Sequence, residues 1–201
     1  LALKVGGPFA GFREESATLS AGDAAEYERL ATWLESEAAD LAGVVHLWSA
    51  GPVAAPTAAS ESLELEHGVR ALFHLAQVLG RRFEGRPLAW RVVTSRGQWL
   101  AGDAAVAPAR GALGIFARVL PLEYAGWSCR VMDTDEPDAA TVLRELGASG
   151  PETLCAYRQG ERWLPTLERL TLTARQAPVV TGGGYLITGG LGDVGLQLAQ
   201  S

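Results

Sequence analysis

Apolar residues along this chain follow two alternating rhythms. Residues 41–50, LAGVVHLWSA, are a short, β-branched apolar run that predicts a buried strand. Ahead of it, Tyr27, Leu30, Leu34 and Leu41 fall on one face of a predicted helix. Asp23 is placed to cap that helix, and Glu26, three residues on, to complete a capping box. After the stretch GPVAAPTAASES, a helix is expected over about residues 62–79, with Leu65, Val69, Leu72, Phe73 and Ala76 turned inward and Gly80 as its stop. A strand is expected at 87–95, then a loop, then a helix with a small-residue face at Gly111 and Gly114. Residues 127–135, WSCRVMDTD, read as the next strand. The helix after it carries Pro137 near its first turn and ends at Gly147. Two short strands around a Gln159–Gly160 turn close the series, and Pro165 confines the second to an edge or a bulge.

Strands alternating with helices imply parallel pairing and right-handed crossovers, so residues from about 41 to 150 make an open sheet on their own. The segment RQAPVVTGGG breaks this pattern, because three consecutive glycines end any helix or strand. It reads as a linker over 175–184, dividing a first unit (1–174) from the start of a second (185–201).

That second unit opens with YLIT, a short apolar strand. GGLGDVG follows without a break, and LQLAQS resumes helical spacing. Gly190, Gly192 and Gly195 make G-x-G-x-x-G in a strand–turn–helix setting. The chemistry needs these glycines: one for the tight turn, one so that backbone approaches a pyrophosphate, one for close helix–strand packing. The pyrophosphate then rests on free N–H groups at the positive end of the helix. The candidate cofactor-binding residues are Thr188, Gly189, Gly190, Leu191, Gly192, Asp193, Val194 and Gly195. An acid at Asp193 is unfavourable beside a pyrophosphate and is expected to cap the helix instead. The residue that distinguishes NAD from NADP stands about twenty positions beyond such a turn, and only six residues follow Gly195. The first unit fails the same test, since GPVAAPTAAS offers one glycine and two prolines and cannot form an N–H cradle. The expected fold class is therefore α/β: a truncated Rossmann-like, doubly wound parallel sheet, followed by the first strand and helix of a second Rossmann fold.

Composition narrows the function classes. The formal net charge is -6 with a single lysine, Lys4, which argues against a general nucleic-acid or anionic-membrane surface. No apolar run approaches the length of a membrane span. Cys129 and Cys155 show no C-x-x-C spacing, and two buried thiols in a reducing cytoplasm are expected. His67 and His74 share a helix face, but a metal site needs further ligands, and helix-surface or half-buried histidines are the better reading. Asp133, Asp135 and Asp138 lack the glycine and closing glutamate of a calcium loop, so a strand-end turn and helix N-cap is expected there. No G-x-S-x-G elbow is present, which argues against a hydrolase. The six tryptophans read as core packing and contacts between subdomains.

Taken in order, these segments resemble the ketoreductase domain of modular type I polyketide synthases. GVVHLWSAGP is similar to a strand of that family's structural half, GALGIFARVLPLEY to the helix after it, CRVMDTD to its next strand, and ERWLPTLERL to the hairpin closing that half. YLITGGLGDVGLQLAQ is similar to the entry of the catalytic, short-chain dehydrogenase half, matching T-G-G-x-G-x-x-G at Thr188, Gly189, Gly190, Gly192 and Gly195. The resemblance spans essentially the whole chain, and the glycine turn is its one sharp motif. It implies a structural half without a cofactor site, followed by the opening of an NADPH-binding half. It further implies reduction of the β-keto group of an intermediate tethered to an acyl carrier protein, with neighbouring synthase domains as partners. The family's catalytic Ser, Tyr and Lys would lie beyond residue 201, so no catalytic residue is assigned here. The short connector leaves no room for an enoylreductase between the halves. Two alternatives remain open: a non-catalytic, ketoreductase-like scaffold of a synthase module, and a free-standing dinucleotide-binding protein.

Overall fold

The computed structural model describes all residues except 14, 15, 54–56, 172–179, 181 and 201. The described chain divides into two compact units, Leu1–Thr166 and Leu167–Ser201. Most of the expected linker, 175–184, lies outside the described residues.

The first unit opens with two short strands, β1 (Ala2–Val5) and β2 (Ser16–Leu19), paired in parallel as a separate two-stranded sheet. Sequence reading placed no strand there. Helix α1 (Ala24–Glu37) follows, and Asp23 caps it by accepting the Ala25 N–H at 2.9 Å. Glu26 does not complete a capping box. The Asp23 N–H is already bonded to the Ser20 carbonyl, and Glu26 turns inward to accept the Phe9 N–H and to pair with Arg29. It thereby ties the strand region to the helix at a position 1% exposed.

Strand β3 (Gly43–Ser49) leads into α2 (Ala58–Leu65), which starts earlier than expected because Thr57 and Ser60 form a capping box. One π-helical turn, Glu66–Arg70, separates α2 from α3 (Ala71–Arg82). The wider turn rotates everything after it relative to a straight helix. Leu72, Ala76 and Leu79 are buried, whereas Phe73 is 51% exposed rather than inward. Gly80 does not stop the helix, which continues to Arg82. A Cβ there would sit 2.1 Å from Tyr124 Cε1, so this glycine makes room for the ring of Tyr124.

The main sheet is completed by β4 (Ala89–Ser95), β5 (Ser128–Thr134), β6 (Leu154–Arg158) and β7 (Glu161–Trp163), in the order β3-β4-β5-β6-β7. The first four strands are parallel and β7 is antiparallel at the edge. Gln159 and Gly160 both take positive φ, 53° and 81°, as a two-residue hairpin turn requires. Helix α4 (Pro108–Glu123) connects β4 to β5, and its expected small face is real. A Cβ on Gly111 would lie 2.7 Å from the Gly97 carbonyl oxygen, and one on Gly114 3.2 Å from Gln98 Nε2. Helix α5 (Ala139–Leu146) starts at Asp138, whose carboxylate accepts the Thr141 N–H at 2.9 Å, with Pro137 just ahead of the cap.

Trp90, Val92, Cys129 and Val131 join α1, α3 and α4 in the larger core. On the opposite side of β5 and β6, Met132, Cys155 and Tyr157 pack with Val142 of α5. Helices thus cover both faces of a parallel-dominated sheet, the α/β architecture read from the sequence.

In the second unit, residues 183–187 carry no strand pairing, since a strand needs a neighbour to share its hydrogen bonds. Helix α6 (Asp193–Gln200) does form.

Candidate functional site

Two places invite a nucleotide on this pattern: the carboxyl edge of the first unit's parallel sheet and the glycine turn of the second unit. They differ in what fills them.

In open α/β sheets, ligands enter the crevice beyond the carboxyl ends of the strands, where strand order reverses. The order β3-β4-β5-β6 runs straight, with no reversal among the described strands. Its carboxyl edge is occupied by the protein's own side chains. Arg110, 5% exposed near the start of α4, donates through Nη1 to the Gly51 carbonyl at 2.9 Å and the Ser95 carbonyl at 3.2 Å. Its Nε and Nη2 hold Glu64 in a two-pronged ion pair at 2.7 and 2.5 Å. The Ser95 hydroxyl accepts the Gly51 N–H at 2.9 Å, so the backbone leaving β3 spends its donor internally.

One strand further along, Asp133 is fully buried. It accepts from Thr94 Oγ1 at 2.6 Å, from the Gly97 N–H at 2.7 Å and from Arg158 Nη2 at 2.9 Å. Arg158 also reaches Asp103, at 2.9 Å from its Nε. Burial works against the charge on Arg158, but hydrogen bonds to Asp103 and Asp133 keep its pKa above the ordinary value. The Arg158 hydrogen bond is the main reason the Asp103 carboxyl sits below the usual carboxylate range. Sequence reading missed these partners, because residues 103, 110, 133 and 158 lie far apart in the chain. The available signal was an acid, Asp133, near the end of a strand whose apolar residues are Cys129, Val131 and Met132.

The glycine turn is built differently. Gly189 takes φ +77°, and the Gly192 N–H donates to its carbonyl at 3.0 Å, closing the turn. The Leu196 N–H then donates to the Gly192 carbonyl at 2.9 Å, the first bond of α6. A Cβ on Gly195 would meet the Gly189 oxygen and the Gly190 Cα at 2.6 Å, which leaves no room for a side chain. Gly190 is nearly as confined, 3.1 Å from the Ile187 carbonyl. Gly192 is not: its nearest neighbour would be the Gly189 oxygen at 3.4 Å, an ordinary contact. Asp193 is the first residue of α6 rather than its cap, where its negative charge suits the positive helix end. The first-turn N–H groups of a helix lack intrahelical acceptors and form a ready cradle for an anion. Thr188, Gly189, Gly190, Leu191, Gly192, Asp193, Val194 and Gly195 thus lie together in one turn and helix start.

Among the described residues no cluster of three or more His, Cys, Asp or Glu fits a metal ion, and no helix is long and apolar enough to cross a membrane.

No family model matches the chain. It is 33% identical over 131 residues to a phenolphthiocerol/phthiocerol polyketide synthase protein of Mycobacterium tuberculosis, covering 61% of this chain. The synthase protein of the same description from Mycobacterium bovis matches to the same extent. The chain spans 7% of the length of these curated relatives. Among solved structures, it matches one of A-type ketoreductases from a modular polyketide synthase at TM-score 0.55 and 25% identity, covering 76% of this chain and 32% of that one. It shares its fold with the adenylation, ketoreductase and pseudo-Asub multidomain structure of a keto acid-selecting NRPS module, at TM-score 0.81 and 18% identity over 98% of this chain and 17% of that one. The first ketoreductase of the tylosin synthase matches at TM-score 0.56 and 20% identity, over 74% and 31%. In sequence the chain is similar to part of polyketide synthase proteins, and in fold to the ketoreductase domains of modular polyketide synthases.

Proposed function

We propose that residues 1–174 are the structural half of a synthase ketoreductase, without a cofactor site, and that residues 185–201 open its NADPH-binding half. The observation that carries this reading is the contrast between the two sites. The first unit's crevice is filled by Arg110 and Arg158, whereas at the glycine turn Gly195 admits no side chain, Gly190 is tightly confined and Gly192 meets only an ordinary contact. A nicotinamide cofactor suits the second arrangement, because Gly195 packs directly on the turn and brings the start of α6, whose first-turn N–H groups lack intrahelical acceptors, close to it. The first-turn N–H groups of Asp193, Val194 and Gly195 would hold its pyrophosphate, with Gly192 allowing close backbone approach. When bound, NADPH supplies the hydride that reduces the β-keto group of an acyl chain carried by an acyl carrier protein. This chain's part is to bind and orient the pyrophosphate and to brace the reductase against neighbouring synthase domains. Cys129 and Cys155 suit a reducing cytoplasm: both are buried, and burial pushes each thiol up to about 12, far from a reactive thiolate.

The test is Gly192→Val in the intact parent ketoreductase. The added Cβ meets only an ordinary contact with the Gly189 oxygen, while the side chain occupies the space backbone needs beside the pyrophosphate. NADPH affinity should fall at least 100-fold with the fold unchanged. Unaltered affinity would reduce the glycines to a packing role.

A further inference from the structure

Between the β1–β2 pair and the edge strand β3, roofed by α1 and α3, the first unit holds a cavity of about 370 Å³. Apolar cavities less than half this size bind benzene. Its walls are mostly hydrocarbon, with Leu3, Leu30, Val44, Leu72 and Leu75 among them. Among the described residues, no Asp, Glu, Lys or Arg side chain lines it. Of the polar side chains that do, Tyr27 spends its hydroxyl on the Ala21 carbonyl at 2.8 Å, and Trp48 its indole N–H on the Leu3 carbonyl at 3.2 Å. His46 is held uncharged, its pKa lowered to about 4 by burial and then by the nearby His67.

The apolar wall does not stop inside. Leu1, Val45 and Leu47 also line the cavity and are 65%, 53% and 49% exposed, so the hydrocarbon surface continues onto the rim. A hydrocarbon surface continuous from the interior to the rim suits an apolar chain entering from the rim. A charged group inside would find no counter-charge: the Tyr27 and Trp48 donors are bonded, and His46, whose Nε2 has no partner among the described residues, is neutral. We infer that this cavity binds an uncharged alkyl chain, with its polar head at the rim beside Val45 and Leu47. The inference is independent of the glycine turn and of the cofactor.

The experiment is a titration of the 201-residue chain with 1-hexanol, 1-octanol and 1-decanol, followed by methyl NMR. Saturable shifts are expected at the methyl groups of Leu30, Leu72 and Leu75, with affinity rising roughly fourfold for each methylene added. Val45→Trp, a change at an exposed rim position, should fold normally and abolish these shifts. Ala2→Trp, also at the rim, serves as the second blocking variant if Val45→Trp disturbs β3. Shifts that are absent, that centre on other residues, or that persist in both blocked variants would overturn the inference.

Discussion

Arg158 Nη2 lies 2.9 Å from Asp133 Oδ2 at the carboxyl edge of the main sheet, and neither side chain is more than 10% exposed. The pair occupies the kind of place where an open α/β sheet ordinarily receives its ligand. Asp133 also accepts the Gly97 and Gln98 N–H groups, at 2.7 and 3.2 Å, so the pair fixes the loop that follows β4. The pair acts as a structural joint at that edge.

Removing one member of a buried pair leaves the other charge without compensation. Arg158→Ala should therefore lower the unfolding free energy by about 3–5 kcal/mol, read from urea denaturation of the chain. Asp103→Asn should cost less, because Arg158 keeps its contact with Asp133. Equal and small effects for both variants would mean that the network is decorative.

The close approach of Gly80 to Tyr124 predicts a change of sign. Gly-to-Ala inside a helix ordinarily stabilises by roughly 0.5–1 kcal/mol. Here the new Cβ would fall 2.1 Å from the ring, so Gly80→Ala should instead destabilise by about 1–3 kcal/mol. In a Tyr124→Ala background the same substitution should stabilise. A stabilising effect in the wild-type background would show that the ring moves aside freely.

His46 predicts a pH dependence. Its pKa is about 4 in the folded chain and near 6.5 when unfolded, so between these values the unfolded state binds the extra proton. Stability contributed by the neutral imidazole is complete above about pH 7 and declines as pH falls from 6.5 towards 4. The full loss is about 3 kcal/mol. His46→Phe should flatten that part of the stability–pH curve. The same slope in the variant would assign it to other groups.

Much of this architecture is legible in the sequence because its signals are local. The apolar run around β3, the Gln159–Gly160 turn and the glycine turn each declare themselves within a few residues. What was missed depends on partners remote in the chain. Glu26 has the spacing of a capping-box residue, but Phe9 and Arg29 draw it elsewhere. Phe73 has helical phase until the π-helical turn shifts it. Gly80 reads as a stop unless Tyr124 is known to lie against it. Residues 185–188 have the composition of a strand, yet composition cannot supply the neighbouring strand that pairing requires. The β1–β2 pair is too short, at four residues each, to show a period.

The most direct test is the number of NADPH sites in the intact parent ketoreductase, measured by isothermal titration calorimetry. With the first unit's crevice filled by Arg110 and Arg158, the expected result is one site per chain, lost in Gly192→Val and retained in Arg110→Lys. Two sites per chain, or a single site that survives Gly192→Val, would contradict the assignment of residues 1–174 as a structural half and of the glycine turn as the cofactor cradle.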